Sequence, residues 1–429
     1  MEVDAGRALI LKSGATSSQA IVEWGALQRL PELLHACALP HRLFIVTDAQ
    51  VGALYAGPIL NILQQAGFAP SLLTIPAGES SKSLLYWQQI LDWLVENKAE
   101  RQEPLVALGG GVVGDLTGFA AASYHRGIPL IQLPTTLLAQ VDSAIGGKTG
   151  VNHPKGKNLI GAIYQPRLIV VDPSCLRTLP DRVYREGWAE IVKYGMILDA
   201  DLFGLLETHA SSLYVHKDDP APDRTMDSTM IQHKAGEAAP GRSRSGHFIA
   251  PIADLSAPSL HDSIQFYDRA PVAFPGENTA LLTGIIRRCI RLKMDVVSSD
   301  ERESGLRTIL NYGHTFGHAL EALTDYGTWL HGEAVSIGME VAAHIAVSSG
   351  LLSSEDALRQ RRLLQAFGLP IHCPGLDSEA LVIAMQRDKK IQSGRMRWVL
   401  PTHIGHAGIY DDIPLELVRD AINTVQAVQ

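Results

Sequence analysis

Three histidines and two glutamates lie close together in residues 311–333, NYGHTFGHALEALTDYGTWLHGE, among residues that favour helix. His314 and His318 are four residues apart, so on a helix their directions differ by only about 40° and both rings can face one ligand. If that helix continued, His331 would lie about 220° further around the helix axis than His318, so it could not face the same side. The intervening Asp325-Tyr326-Gly327 is typical of a turn. The spacing therefore predicts a helix with His314 and His318, a turn, and a second helix that begins near His331 and faces back.

These residue types predict a metal site that lacks one ligand. A catalytic zinc usually takes three protein ligands and leaves one position open, so a carboxylate or a thiolate from elsewhere in the chain should complete the set. The alternative is that each histidine is a core or surface residue whose ring is satisfied by backbone groups, which is the usual role of an isolated histidine. Three histidines with this spacing favour the metal site.

A candidate for the missing ligand lies in residues 185–194, REGWAEIVKY. Glu190 and Lys193 are three residues apart, on one face of a helix, and a surface ion pair is the simplest interpretation of such a pair. The residues around them are apolar, however, and a charge in apolar surroundings usually has a metal or substrate partner. We therefore expect Glu190 to complete the metal site.

A possible phosphate-binding turn follows the apolar residues 105–108. Gly109, Gly111 and Gly114 satisfy the GxGxxG spacing and precede a helical pattern. Such a turn lets backbone N–H groups approach a pyrophosphate at the positive end of the helix. No acidic residue ends a new strand about 20 residues later, as the usual dinucleotide-binding pattern requires. A tight structural turn is therefore the alternative.

Residues 140–158, QVDSAIGGKTGVNHPKGKN, have the composition of neither an ordinary helix nor an ordinary strand. They predict a loop that wraps around a ligand, and the alternative is a solvated charged loop. The polar residues that favour a ligand-binding role for this segment are Asp142, Lys148, Lys157 and Asn158. Just before it, the hydroxyl groups of Thr135 and Thr136 could contact a cofactor or cap the next helix.

Length and composition limit the class of protein. The chain has 429 residues, which predicts two domains, and 46% of them are hydrophobic without an apolar run long enough to span a membrane. The N-terminus lacks the features of a secretory signal or a transit peptide. The four cysteines are scattered without a CxxC pair, and a net charge of −8 argues against general nucleic-acid binding. We expect a soluble cytoplasmic protein. The net charge does not exclude a small anionic substrate, because local clusters of lysine and arginine decide that.

The hydrophobic pattern changes at Asp181. Before it, strands and helices alternate, with strands predicted at residues 20–23, 42–47, 68–75, 105–108, 130–133 and 168–171. After it, helical periodicity dominates, with helices expected near residues 278–297, 334–349, 354–367 and 378–387, a small hairpin near 396–410 and a terminal helix. These patterns predict an α/β domain at residues 1–180 and a helical domain at residues 181–429.

An atypical segment interrupts the helical domain at about residues 214–275. It mixes Pro, Gly, Ser, Asp and Arg without a sustained period, so we expect it to be mostly disordered. Its four histidines have no metal-ligand spacing, so we assign no metal to them.

Five motifs resemble the 3-dehydroquinate synthase family and occur in the family's order. They are GGGVVGDLTGFAAASYHRG, LPTTLLAQVDSAIGGKTGVNHPKGKNLIGAIYQP, GWAEIVKYG, LNYGHTFGHALE and LHGEAVSIGM. The likeness spans roughly residues 20–213 and 276–425. It implies an α/β Rossmann-like N-terminal domain and an all-α C-terminal domain, with the active site in the cleft between them. It also implies NAD⁺, one zinc or cobalt ion and a homodimer.

The resemblance assigns roles to particular residues. The metal ligands would be Glu190, His314 and His331, and His318 would face the substrate, whereas helical geometry alone would have given the metal both members of the histidine pair. The NAD⁺ site would include Asp48, Glu79, Lys82, Gly110, Gly111, Val112, Asp115, Thr135, Thr136, Leu138, Asp142, Lys148, Lys157 and Thr178. The family usually has Asn two residues after the equivalent of Asp48, and this chain has Gln50.

The implied substrate is 3-deoxy-D-arabino-heptulosonate 7-phosphate, an acid with a charged group at each end. Lys293 and Arg307 would bind its carboxylate. Lys193, Asn311 and His318 would orient the phosphate and hydroxyl groups. The residues implied for the phosphate are Lys148, Asn158, Asn311, His318, one of Lys389 and Lys390, and Arg126 of the partner subunit.

The implied reaction forms 3-dehydroquinate and phosphate, a carbon–oxygen lyase step of the shikimate pathway to chorismate and the aromatic amino acids. It proceeds by transient oxidation, phosphate elimination, reduction and intramolecular aldol closure. Another sugar phosphate cyclase, of the 2-epi-5-epi-valiolone or 2-deoxy-scyllo-inosose synthase type, is the first alternative. A glycerol-dehydrogenase-like oxidoreductase and a non-catalytic descendant impaired by the insert are others. Substrates without a carboxylate do not need Lys293 and Arg307, so the presence of both favours 3-dehydroquinate synthesis.

Overall fold

The first part of the chain forms a seven-stranded sheet in the order β1-β2-β9-β6-β5-β3-β4. The computed structural model describes residues 8–13, 16–154, 156–214, 278–301, 303, 305–324, 328–386 and 396–427. The strands of the sheet are β1 (Leu9–Ser13), β2 (Thr16–Val22), β3 (Arg42–Asp48), β4 (Ala69–Ile75), β5 (Leu105–Gly109), β6 (Leu130–Pro134) and β9 (Leu168–Val171). β1 pairs with β2 antiparallel, and the other neighbours are parallel. β5, β6 and β9 are buried along their whole length, as their continuous apolar sequences require.

Helices cover both faces of this sheet. They are α1 (Leu30–Ala36), α2 (Ala49–Val51), α3 (Gly57–Gln65), α4 (Leu84–Glu96) and α5 (Gly111–Ser123). One face packs Leu30 and Leu63 against Ile45, and the other packs Ile90 and Leu116 against the opposite side of the sheet. The alternation of strand and helix predicted from the sequence is confirmed.

One boundary in this part was predicted wrongly. The predicted strand at residues 20–23 starts earlier, at Thr16, because it pairs with β1, which the sequence pattern did not reveal. The error concerns the edge of the sheet, where tertiary pairing decides the boundaries.

The predicted loop at residues 140–158 is mostly regular structure. A π-helical turn, Ala139–Ser143, is followed by the antiparallel hairpin of β7 (Lys148–His153) and β8 (Gly156–Ile163). Gly150 and Gly161 face each other in this hairpin, and a Cβ atom on Gly150 would lie 2.4 Å from the carbonyl oxygen of Ile160. The glycines that suggested a loop instead allow two strands to approach closely.

Helices form the second part of the chain. They are α6 (Asp181–Leu198), α7 (Ala200–Leu213), α8 (Thr279–Ser299), α9 (His314–Leu323), α10 (His331–Ser348), α11 (Ser354–Ala366), α12 (Ser378–Gln386) and α13 (Leu415–Gln426). The predicted late hairpin is present as β10 (Trp398–His403) and β11 (His406–Tyr410). The expected arrangement of two helices around the histidines is confirmed, since α9 begins at His314 and α10 begins at His331.

The helical part shares its core with one edge of the sheet. Leu11 and Val22 of the sheet belong to the same buried cluster as Trp188 of α6 and Phe316 of α9. α6 begins at Asp181, directly after Pro180. The division into residues 1–180 and 181–429 stays a prediction, and nearly all of the predicted insert at about 214–275 lies outside the described residues. No described helix is long and apolar enough to cross a membrane.

Candidate active site

Three helices bring together Glu190 of α6, His314 at the start of α9 and His331 at the start of α10. One ligand-type atom from each lies within 4.8 Å of the others. Glu190 is fully buried, and His314 is nearly so. The cluster expected from the sequence therefore forms in the structure.

The donor atoms of this cluster fit a divalent metal ion. The Lys193 ammonium group forms an ion pair with Oε2 of Glu190, and Oε1 has no hydrogen-bond partner among the described residues. Oε1 of Glu190 lies 3.6 Å from Nε2 of His314. The ring of His314 is oriented through Nδ1, which lies 2.9 Å from the carbonyl oxygen of Tyr312. A buried carboxylate that faces two imidazoles in this way is a typical zinc-type ligand set.

Close helix packing fixes the positions of these ligands. A Cβ atom on Gly332 would lie 2.0 Å from the carbonyl oxygen of Glu186, and one on Gly338 would lie 1.9 Å from that of Gly313. α10 therefore touches α6 and the residue before His314 directly through its backbone. This contact sets the separation between the two histidines.

Glu321 of α9 lies directly behind His331. Its Oε2 is 3.1 Å from Nδ1 of His331, and its Oε1 accepts a hydrogen bond of 3.0 Å from Nζ of Lys157. Burial alone would raise the pKa of Glu321, but His331 and Lys157 lower it to about 2. Burial would likewise lower the pKa of His331, but Glu321 raises it to about 9.

The glycine turn forms a tight cradle at the start of α5. Gly110 is the N-cap of that helix. A Cβ atom on Gly110 would lie 3.0 Å from Cγ2 of Thr136, and one on Gly111 would lie 3.1 Å from Oγ of Ser143. The hydroxyl of Thr135 is buried and has no hydrogen-bond partner in the part of the chain that the structure describes. This backbone at a helix N-terminus suits a phosphate group. Val112 of α5 and Leu138, which directly precedes the π-helical turn Ala139–Ser143, are both half-buried.

A polar network joins the cradle to the β7–β8 hairpin. Nζ of Lys82 donates to Oδ2 of Asp115 at 2.5 Å and to Oδ1 of Asn158 at 2.6 Å. Burial would lower the pKa of Lys82, but Asp115 and Glu79 raise it. Glu79 accepts a hydrogen bond of 2.7 Å from the side chain of Asn152. The structure thus brings together several of the residues expected at the nucleotide.

Two further residues expected at NAD⁺ lie where β3 and β9 lead into helical turns. Asp48 ends β3 and accepts hydrogen bonds from the backbone N–H groups of Gln50 and Val51 through Oδ1. Thr178 lies on the 3₁₀ turn after β9, with its hydroxyl 2.6 Å from that of Tyr55.

Lys293 and Arg307 lie together near Asp142. Nζ of Lys293 donates to the carbonyl oxygen and to Oδ1 of Asp142, each at 2.6 Å. Burial lowers the pKa of Lys293 to about 8, although Asp142 opposes this shift. The Arg307 guanidinium is buried and donates to the carbonyl oxygens of Glu301 and Gly146. A cationic pair of this kind suits a carboxylate.

Lys148 and Asn311 meet at Glu303. The Lys148 ammonium pairs with Oε2 of Glu303, and Nδ2 of Asn311 donates to Oε1 at 2.7 Å. The His318 ring lies 5.5 Å from that of His314, centroid to centroid. Arg126 is exposed on the turn after α5, whereas Lys389 and Lys390 lie outside the described residues.

Comparison with known proteins identifies the family. The sequence model of the 3-dehydroquinate synthase N-terminal domain matches residues 72–186, and that of the C-terminal domain matches residues 262–391. The chain is 44% identical over 385 residues to the 3-dehydroquinate synthase of a Synechococcus species, covering 90% of this chain and 89% of that protein. The chain belongs to the 3-dehydroquinate synthase family. The family's enzyme in Vibrio atlanticus is 40% identical over 394 residues, which is 92% of each protein.

Solved structures agree with this family fold. A 2-epi-5-epi-valiolone synthase from Streptomyces hygroscopicus, with NAD⁺ and Zn²⁺ bound, is 28% identical and superposes with a TM-score of 0.75 over 98% of this chain and 99% of that one. A 2-deoxy-scyllo-inosose synthase complexed with carbaglucose-6-phosphate, NAD⁺ and Co²⁺ also gives 0.75, over 98% of this chain and all of that one, at 24% identity. At that lower identity the similarity shows the fold alone.

Sequence reasoning missed four polar residues that lie beside the expected site residues, namely Glu186, Tyr194, Glu303 and Glu321. Glu321 lies three residues after His318, a spacing that could have drawn attention to it. Glu186 is buried and accepts a hydrogen bond of 3.3 Å from the N–H of Gly332. Burial raises its pKa to about 7. Tyr194 donates to Asp142 at 2.8 Å.

Proposed function

We propose that this member of the 3-dehydroquinate synthase family converts 3-deoxy-D-arabino-heptulosonate 7-phosphate to 3-dehydroquinate and phosphate. The observation that carries the proposal is the cluster of Glu190, His314 and His331, of which the first two are buried, in a chain with 44% identity to a known 3-dehydroquinate synthase. The glycine cradle and two groups of cationic residues support it.

The same site would hold the two groups that the reaction needs. Glu190, His314 and His331 would bind a divalent zinc or cobalt ion, and the cradle of Gly110 and Gly111 would bind NAD⁺. When bound, NAD⁺ supplies reversible hydride acceptance and the ion polarises substrate hydroxyl groups. The bound NAD⁺ and metal of the valiolone synthase structure support this choice of cofactors.

The residues of this chain would hold the substrate at both ends. Lys293 and Arg307 would bind the carboxylate, because both are buried cations that converge near Asp142. Lys148 and Asn311 would bind the phosphate, which would then replace the Glu303 carboxylate that they contact here. With both ends held in this way, the middle of the substrate would lie between the metal ligands and the cradle.

The remaining residues would orient the reacting groups. Lys193 lies against Glu190, so its ammonium group can donate to a substrate hydroxyl next to the ligand set. His318 and Asn158 would contact the leaving phosphate. After the elimination of phosphate, the reduction and the aldol closure would proceed in the same site.

We further infer a cytoplasmic homodimer with the domain division at Asp181. Arg126 lies on the exposed turn after α5, where it could reach the phosphate site of a second copy. One of Lys389 and Lys390 would complete the phosphate site from outside the described residues. The shikimate pathway is the metabolic setting that this reaction implies.

A sugar phosphate cyclase with a different substrate is the second candidate. It is favoured by the fold similarity to the 2-epi-5-epi-valiolone synthase. Such substrates lack a carboxylate, and the buried pair of Lys293 and Arg307 would then have no substrate anion to bind. A non-catalytic protein with a blocked site is a third candidate, to be tested by the same experiment.

Phosphate release distinguishes these candidates. The metal-loaded protein is supplied with catalytic NAD⁺ and either the heptulosonate phosphate, a heptulose 7-phosphate without the carboxylate, or glucose 6-phosphate. We expect inorganic phosphate from the first substrate only, with no net consumption of NAD⁺. Release from only one or both of the sugar phosphates that lack a carboxylate would support another cyclase, and no release from any of the three by a folded, metal-loaded protein would exclude all of these activities.

A further inference from the structure

Glu321 contacts both halves of the site, yet it is neither in the ligand cluster with Glu190 nor in the cradle. Its side chain is only 4% exposed. Each carboxylate oxygen has its own partner, Nδ1 of His331 at 3.1 Å and Nζ of Lys157 at 3.0 Å. One buried carboxylate therefore joins a metal ligand to a lysine of the β7–β8 hairpin.

The contact with His331 determines which ring nitrogen faces the metal cluster. A carboxylate at Nδ1 keeps the proton on that nitrogen, which leaves Nε2 as the ligand atom, and such partners usually orient metal-bound histidines. Glu321 lies on α9 and His331 on α10, so the bond also ties the two helices at the point where their histidines converge. Loss of the carboxylate would free the ring to rotate.

The contact with Lys157 extends this link to the nucleotide side. Nζ of Lys157 lies 3.9 Å from Oε1 of Glu79, which in turn accepts a hydrogen bond from Asn152. Asn152 accepts a hydrogen bond of 3.0 Å from the N–H of Asn158, whose side chain meets Lys82. The lysine that meets Glu321 is thus held in the polar network beside the glycine cradle.

We propose that Glu321 is a positioning residue that orients His331 for the metal ion and, through Lys157, couples metal binding to NAD⁺ binding. The proposal rests on the function proposed above. A divalent ion bound to His331 would draw the Glu321 carboxylate toward the imidazole and away from Lys157. The positive charge of Lys157 would then be less neutralised and would attract a nucleotide phosphate more strongly. Metal and NAD⁺ should therefore strengthen each other's binding, and by linkage the factor must be the same in both directions.

The same residues suggest a competing interpretation, in which His318, Glu321 and His331 hold a second ion. Their ligand-type atoms also lie within 4.8 Å of one another. His331 belongs to both groups, however, and its Nδ1 already faces Glu321 at hydrogen-bond distance. We therefore expect one ion per chain, and the stoichiometry of metal binding distinguishes the two interpretations.

The test measures binding and a spectrum, so it needs no turnover. Co²⁺ and NAD⁺ affinities are determined by calorimetry, each with and without the other ligand, together with the visible spectrum of bound Co²⁺. We expect one Co²⁺ per chain in the wild type and an NAD⁺ affinity that rises about 5-fold or more when Co²⁺ is bound. In Glu321→Gln, Co²⁺ affinity should fall about 10- to 100-fold, the spectrum should change, and the coupling should disappear.

Two further variants separate this role from a general loss of stability. Glu340→Gln removes another buried glutamate, which contacts Arg361 at 2.8 Å and belongs to neither site; we expect wild-type Co²⁺ affinity, spectrum and coupling. Lys157→Met should bind Co²⁺ at least as tightly as the wild type, because the Glu321 carboxylate then serves His331 alone, but it should lose the coupling. This variant keeps the test decisive if Glu321→Gln fails to fold.

Several outcomes would overturn the proposal. These are two Co²⁺ ions per wild-type chain, independent binding of Co²⁺ and NAD⁺ to the wild type, an unchanged Co²⁺ affinity and spectrum in folded Glu321→Gln, or equal losses in Glu340→Gln. Coupled binding by a protein that releases no phosphate would contradict only the proposed reaction.

Discussion

Oε1 of Glu190 lies 3.6 Å from Nε2 of His314, although the two residues belong to helices far apart in the sequence. The Glu190 carboxylate is fully buried, with the Lys193 ammonium group against Oε2. Its position is set by α6, whereas that of His314 is set by the crossing of α9 and α10. The packing of these three helices should therefore determine metal affinity.

Gly338→Ala tests the contribution of helix packing. The added Cβ atom would lie 1.9 Å from the carbonyl oxygen of Gly313, so α10 must move away from the residue that precedes His314. We expect a loss of about 1–3 kcal/mol in the free energy of unfolding of the metal-free protein and weaker metal binding. Urea unfolding and calorimetry measure the two effects.

Gly204→Ala is the matched control for that variant. Gly204 also lies within a helix, α7, but a Cβ atom there would meet nothing within 4 Å. Alanine should raise stability by up to about 1 kcal/mol and leave metal affinity unchanged. Equal behaviour of the two variants would mean that α10 tolerates the methyl group and that the close approach has no role.

Lys82→Met tests the polar network at the cradle. The substitution leaves the Asp115 carboxylate without its cation in a largely buried position. We expect a loss of about 2–3 kcal/mol in stability and weaker NAD⁺ binding. The double variant Lys82→Met/Asp115→Leu should recover part of the stability but not the NAD⁺ affinity, because it removes the unpaired charge without restoring the lysine.

An exposed ion pair provides the comparison for Lys82. Arg419 pairs with Glu379 on the surface, at 2.6 Å. Arg419→Met should leave both stability and NAD⁺ affinity close to wild type. If Lys82→Met behaved in the same way, the network would not contribute to nucleotide binding.

The sequence indicated the candidate metal ligands more readily than the residues that surround them. Residue type and helical spacing single out Glu190 and the three histidines, because few other roles explain imidazoles and a carboxylate in apolar helices. Spacing alone would have given the metal both His314 and His318, and only the family resemblance separated them. The part played by Glu321 depends on how α9 and α10 cross, and no local pattern encodes that angle. Residues 140–158 were misjudged for a related reason, since their glycines serve a close strand pair that only the folded hairpin reveals.

The pH dependence of the reaction should reveal Lys293. Its pKa is lowered to about 8 by burial, so it loses its positive charge as the pH rises through that value. The carboxylate of the substrate is then bound less strongly, and kcat/KM, which reports the free enzyme, should fall. We expect the ratio of wild-type to Lys293→Met kcat/KM to decrease between about pH 7 and about pH 9.

This ratio cancels the pH dependence of groups that the two proteins share. A constant ratio across that range would show that Lys293 does not act on the substrate as a cation. Its partner Asp142 should stay ionised throughout, because Lys293 and Lys193 keep its pKa low against the effect of burial.

The predicted insert should be dispensable for the site. The side chain of Asn278 donates a hydrogen bond of 2.6 Å to the carbonyl oxygen of Ser212, so the chain leaves and re-enters the described structure at neighbouring points. Replacing residues 216–261, which form most of the predicted insert, by a short Gly/Ser linker should preserve metal content, the unfolding midpoint and turnover. The reason is that the cost of closing a loop changes slowly with its length. Loss of turnover in a stable, metal-loaded variant would assign this segment a role in catalysis.

Phosphate release from 3-deoxy-D-arabino-heptulosonate 7-phosphate, measured against bound metal, tests the central claim most directly. Wild-type protein with catalytic NAD⁺ should release phosphate, lose this activity after chelation and regain it with Zn²⁺ or Co²⁺. Folded Glu190→Gln and His314→Ala should bind little metal and release no phosphate under the same conditions. Full activity in the chelated wild type, or unchanged metal content and rate in either variant, would contradict the assignment of Glu190, His314 and His331 as the ligands of a catalytic metal.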